Sequence, residues 1–250
     1  MTADLTYGGY LKLDQILSAQ APRSSSPDEM LFIVVHQASE LWIKLCLVEL
    51  DGARGAIAAD RLRPAFKHLA RVAAVQAQLI QSWDVLGTLT PADYLAFRPT
   101  LGSSSGFQSH QYRLLEFLLG NRNRAHLDAH AGEPEVHAKL EAELARPSLP
   151  EVVGDLLRRR GFQAGDGAGL EAAWTAIYRD TERYWDLYEL GEKLVDLETR
   201  VKLWRFAHLQ AVERIIGRRM GTGGTTGTGY LEQVLKEGFF PELMAIRTSL

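Results

Sequence analysis

Residues 28–53, DEMLFIVVHQASELWIKLCLVELDGA, are apolar on nearly all sides through Leu50. A surface helix keeps one polar face, so a helix without one belongs at the centre of its fold. Whatever surrounds it must offer long apolar faces of its own, and the rest of the chain offers them at helical spacing. Pro64 can open a helix that runs to about Leu86 through Phe66, Leu69, Val72, Val75, Leu79 and Val85, and from Leu170 to Gly217 there is little but helix. Strand alternation is missing over any useful length, and no repeat recurs at a fixed period. The sequence predicts an all-α fold, read as one domain over residues 1–250.

Start and stop signals divide that domain. Ser26, Pro27 and Glu29 read as N-cap, first helical position and third position of the central helix, and Thr90, Pro91 and Asp93 repeat the pattern for a helix of one or two turns that Pro99 stops. The opening LTYGGYLKLDQILSAQ predicts an extended start, a break at Gly8 and Gly9, and then a short helix carrying Leu13, Ile16 and Leu17. ARGAIAADRL reads as a break, FQSHQYRLLEFLLG as a helix closed by Gly120, and NRNRAHLDAHAGEP as a polar loop. Modest helices are expected from Pro134 to about Leu144 and from Pro150 to about Arg160, then a linker, FQAGDGAG. Trp174, Tyr178, Tyr184, Trp185 and Tyr188 read as core and interface packing, and two short helices flank Pro241.

Composition removes several function classes. A formal charge of −3 gives no electrostatic case for nucleic acid or an anionic membrane. The single cysteine, Cys46, excludes an internal disulfide framework and any multi-cysteine metal site, and suits a reducing compartment. The opening lacks a basic and apolar signal, and no run is read as a membrane span, so a cytoplasmic protein is expected.

Two histidines lie on buried helical faces. Val201, Trp204, His208, Val212 and Ile215 share one side of their helix; Phe32, His36, Glu40 and Ile43 share one side of another. Each imidazole can be a hydrogen-bonded core residue. Each can also serve a site between helices, and a single axial His is one way to hold haem iron. Tyr94 and Arg98, four apart, can be a helix-end pair or a clamp for a carboxylate. Residues 221–229 are rich in Gly and Thr but lack the Lys of a P-loop and the third glycine of a dinucleotide loop; they read as a linker or as a flap carrying a hydroxyl. His126 and His130 could chelate zinc if that stretch were helical, though no third ligand is evident.

Taken together, LTYGGYLKLDQIL, DEMLFIVVHQASELWIK, LTPADYLAFRPTLGSSSGFQSHQYRLLEFLLGN, RYWDLYELGEKLVDLETRVKLWRFAHL, RMGTGGTTGTGYL and FFPELMAIRTSL resemble, in order, the blocks of the tryptophan 2,3-dioxygenase family. The resemblance implies a helical bundle with haem b between long central helices. It implies a homotetramer whose N-terminal segment, residues 1–20, reaches a neighbouring subunit, with residues 121–169 as a variable helical insertion. The implied reaction opens the pyrrole ring of L-tryptophan with O₂ to give N-formyl-L-kynurenine, the first step of the kynurenine pathway. By position, His208 resembles the proximal iron ligand and His36 the distal histidine that meets the indole N–H. Phe32 resembles the aromatic that packs on the indole, Arg98 and Tyr94 the carboxylate clamp, and Thr222 the flap hydroxyl. Ser105 resembles the serine beside the haem, and Tyr7 and Tyr10 belong to the exchanged segment. The alternative is a branch of the family that takes a substituted tryptophan in secondary metabolism and adds one oxygen atom. A non-enzymatic haem or tryptophan sensor would keep His208 but has no need of Arg98, Tyr94 and Thr222 together.

Overall fold

Residues 5–217, 219 and 228–250 are described by a computed structural model, and among them there is no strand. The helices are α1 (Tyr7–Leu11), α2 (Leu13–Ile16), α3 (Asp28–Ala58), α4 (Leu62–Leu86), α5 (Pro91–Phe97), α6 (His110–Leu119), α7 (Pro134–Leu144), α8 (Leu149–Arg159), α9 (Gly167–Arg179), α10 (Trp185–Ile216), α11 (Thr228–Val234) and α12 (Pro241–Ala245). The frame is α3 against α4 and α4 against α10, with α6 and α8 packed on α3, and α9, α11 and α12 on α10. Leu50, Ile57, Ala65, Leu69, Leu190 and Leu194 meet in a common core. Cys46 lies in the same core, 1% exposed.

Several predicted boundaries shift, each for a physical reason. Gly8 and Gly9 fall inside α1, which Thr6 caps by accepting the Gly9 amide; the break comes at Lys12, in the left-handed region. Ser26 gives α3 no side-chain cap. Instead the buried Glu29 carboxylate reaches back to the Arg23 and Ser24 amides, and these bonds with the Ser24 hydroxyl outweigh burial and hold its pKa below the ordinary value. The break expected at ARGAIAADRL does not occur, because α3 runs on to Ala58. Ala53, Ala56 and Ile57 are buried, and the Arg54 guanidinium bridges Asp51 of its own helix and Glu143 of α7, so packing overrides the local glycines. The chain turns at Asp60, whose φ is +54°. Residues 124–130 form a 3₁₀ turn rather than a plain loop, and α9 begins inside the expected linker, capped by Asp166.

Other signals hold. Thr90 and Asp93 make a reciprocal capping box with Pro91 at the first position, and Gly120 closes α6 at φ +111°. Ser148 and Glu151 make a second such box at α8, a Ser-x-x-Glu signal that was there to be read in the sequence.

The expectation that no segment could span a membrane needs correction. By length and composition α3 is apolar enough to do so, with a mean hydropathy of 1.6 over its most apolar 18 residues. One side of it packs in the bundle. The other exposes Met30, Val34, Leu41, Leu45 and Val48.

Candidate functional site

One pocket gathers most of the expected residues. α3 supplies Phe32, His36 and Glu40 to its wall, α10 supplies Trp204 and His208, α4 supplies Trp83, and α5 supplies Tyr94. The four-residue spacings 32, 36, 40 and 204, 208, 212 place these side chains one above another on the inner faces of two helices.

His36 is fixed by its own helix. Its Nδ1 lies 2.7 Å from the carbonyl oxygen of Phe32. A carbonyl can only accept, so Nδ1 carries the proton and Nε2 is left with a lone pair. Burial lowers its pKa more than that bond and Glu40 raise it, so the ring is neutral. Phe32 lies against it, ring centroids 4.1 Å apart. Glu40, one turn on, accepts from Gln111 Nε2 at 2.7 Å, which fastens α6 to this face of α3.

His208 differs. Among the described residues no hydrogen bond reaches either ring nitrogen, and burial, with His36 nearby, pushes its pKa down to about 4. Its ring lies parallel to Trp83 at 4.4 Å. A neutral imidazole with its lone pair unused, in a largely apolar wall, fits a flat iron macrocycle held by one axial His. Among the described residues no three His, Cys, Asp or Glu side chains gather to hold a metal by themselves.

Tyr94 is buried in the wall, and Arg98 hydrogen-bonds it. Burial raises the phenol pKa, while the guanidinium pulls it down. Arg98 starts the 3₁₀ turn Arg98–Leu101 directly after α5 and is not among the residues that line the pocket. Ser105 lines the pocket and caps the turn Gly106–Gln108, its Oγ accepting from the Phe107 amide at 3.3 Å. Tyr7 and Tyr10 are not in this pocket; they are 76% and 71% exposed on α1. Thr222 lies outside the described residues. His126 meets the edge of Phe107, and His130 is buried with Nδ1 3.2 Å from Glu133, so the two do not form a zinc pair.

Sequence reasoning missed a buried charge cluster in the wall itself, where Arg113 and Arg205 line the pocket. Glu116 of α6 accepts from Arg113 at 2.6 Å and from Arg205 of α10 at 3.0 Å. Arg205 also donates to Tyr112 Oη at 2.9 Å and to the Val234 and Glu237 carbonyls, tying α11 to α10. The signal was an arginine in the apolar stretch LWRFAHL, three residues before His208, which needs a buried acceptor. Trp83 was missed too, since nothing in its spacing on α4 marks it.

Among the described residues the fold is helical, and two neutral histidines, one of them without a hydrogen bond, face one largely apolar pocket, which fits the class of helical proteins that hold a flat apolar group by an imidazole. Sequence comparison narrows the class. The family profile described as Tryptophan 2,3-dioxygenase matches residues 1–146 and 150–250. A tryptophan 2,3-dioxygenase of Erythrobacter litoralis (strain HTCC2594) is 58% identical over 263 aligned positions, covering 100% of both chains. Proteins of that name from Bradyrhizobium sp. (strain BTAi1 / ATCC BAA-1182) and Bacillus anthracis are 54% and 50% identical, covering 98% and 99% of this chain and 93% of each relative. The chain belongs to the tryptophan 2,3-dioxygenase family.

Proposed function

We propose that this chain is a haem-dependent dioxygenase that cleaves the indole pyrrole ring of L-tryptophan with O₂ to N-formyl-L-kynurenine, in tryptophan catabolism by the kynurenine pathway. The observation that carries the reading is the His36 tautomer. Its proton is committed to Phe32 O, so Nε2 can only accept, and an indole N–H is a donor with no acceptor capacity of its own.

His208 would hold the haem iron. Bound haem supplies the O₂ chemistry, which no side chain here performs. The chain's own residues bind and orient. Phe32 packs on the indole face, His36 accepts its N–H, and Tyr94 in the wall, with the Arg98 guanidinium bonded to it and reaching past the lining, would hold the carboxylate as a charge-assisted pair, which fixes the register of the ring. Ser105 would stand beside the haem, and Thr222, outside the described residues, keeps the role the family resemblance gives it, a hydroxyl for the polar end of the amino acid. His36 acts as a positioning acceptor, since burial outweighs the bond to the Phe32 carbonyl and leaves the imidazole a weak base.

The assembly is a homotetramer in this reading, with residues 1–20, including Tyr7 and Tyr10, completing a neighbour's pocket and residues 121–169 as the family's variable insertion. The apolar side of α3 together with Leu203 and Phe206, each 50% exposed on α10, supports burial by further copies. The protein is placed in the cytoplasm, in keeping with its one cysteine being a buried thiol.

The deciding experiment is product mass from haem-loaded, reduced protein given L-tryptophan and ¹⁸O₂. Two labelled atoms in a formylkynurenine are expected. One labelled atom would replace the reading with a monooxygenase, and absence of product from a protein with a normal haem spectrum would remove L-tryptophan as the substrate.

A further inference from the structure

A histidine that binds iron usually has its second ring nitrogen tied to a carbonyl or carboxylate, and that bond sets the plane of the ring. Among the described residues His208 has no such bond, and rotation about its terminal torsion is otherwise broad. The contact that constrains the ring is a face-to-face stack: Trp83 of α4 lies 4.4 Å from it with only 9° between the planes.

Trp83 is itself held on two sides. Trp204, one turn before His208 on α10, stands 6.0 Å away, and Tyr112 backs Trp204 at 5.4 Å. His36 meets Trp83 at 6.5 Å and 82°, so one indole touches both pocket histidines. Packing alone does not account for the placement. A buried tryptophan ordinarily pairs its N–H, whereas Nε1 of Trp83 is shielded and has no acceptor among the described residues. The indole is thus placed by its face and not by its polar edge.

We propose that Trp83 is a positioning residue for His208, setting by stacking the plane in which the imidazole presents its nitrogen to iron, the task a hydrogen bond performs elsewhere. The proposal rests on His208 as the iron ligand.

The test uses the ferrous haem protein and reads the iron–histidine stretch by resonance Raman, with haem transfer to apomyoglobin as a second readout. Trp83→Met, which fills space without an aromatic face, should shift or split the band and speed haem loss about tenfold, the lower end for lost outer-sphere support. Trp83→Phe, which keeps the face and drops the N–H, should restore a single band near the parent frequency. Trp204→Leu, which removes the support behind Trp83, should move the band in the same direction by less. An unchanged band in Trp83→Met, whatever happens to its melting temperature, overturns the proposal, as does Trp83→Phe behaving like Trp83→Met. His208→Ala separates the underlying assignment: if it kept the parent band, the ligand itself would be misassigned, independently of Trp83.

Discussion

The Nδ1 atom of His36 and the carbonyl oxygen of Phe32, one helical turn apart, are 2.7 Å from each other. That bond gives the distal face of the pocket its polarity. Removing the acceptor with His36→Ala should leave haem binding intact and cost about 1–2 kcal/mol of substrate positioning, roughly a five- to thirtyfold fall in kcat/KM. The pH profile adds a sign. Because burial holds the folded pKa below the ordinary 6.5, the midpoint of the acid limb of kcat/KM should lie below 6.5. A limb at or above that value would show a ring charged more easily than this one.

His208→Ala should remove the haem Soret band altogether. Titration of the variant with haem, followed by absorbance, measures it; full retention of the parent spectrum would transfer the ligand role to another residue.

In the proposed clamp Arg98 gives the substrate carboxylate a charge-assisted bond, of the kind worth about 1.5–3 kcal/mol, so Arg98→Ala should lower kcat/KM about ten- to a hundredfold. Tyr94→Phe should cost less, since it deletes a neutral hydroxyl. Tryptamine, which lacks the carboxylate, is the control: if Arg98→Ala slowed it as much as tryptophan, the clamp would be wrong.

Glu116 joins two guanidinium groups in a nearly water-free place. Glu116→Gln leaves both arginines short of a counter-charge and should cost about 3–5 kcal/mol in urea unfolding, as should Arg205→Met. The double variant should be less damaging than the sum, because it leaves one guanidinium fewer without its charge partner. Additive losses would mean that the pair is not coupled.

Glu198 gives the chain an acid-sensitive joint. It is 2% exposed on α10, where Lys202 and the Phe239 and Phe240 amides, each amide 2.8 Å away, bond its carboxylate. Burial alone would raise its pKa, but these bonds prevail and hold it below the ordinary 4.5. The stabilisation is therefore fully present above pH 4.5 and is lost as pH falls through the lower folded value. Unfolding free energy measured down that range should decline, and Glu198→Gln should flatten the decline.

The helical class and two faces of the pocket could be read from the sequence because both rest on local spacing, whereas Ser105 came only with the family resemblance. Phe32, His36 and Glu40 share a face by periodicity alone, as do Trp204, His208 and Val212, and the Thr90 and Asp93 cap needs only a short local pattern. Part of what was misread depends on distant partners. The continuation of α3 past Gly52 and Gly55 is held by Arg54 bound to Glu143, 89 positions away. The Arg205 and Glu116 pair is equally separated along the chain, and nothing in the spacing of Trp83 tells that its ring faces an imidazole rather than a leucine.

Cys46, sealed in the core between α3 and its neighbours, gives the molecule a clock. Thiol reagents attack the thiolate, and burial pushes this thiol up to about 12, so the closed bundle is inert to them. Labelling waits for the core to part. Its rate therefore counts openings of the bundle, and whatever the pocket binds will slow the count in proportion to how firmly the closed form holds it.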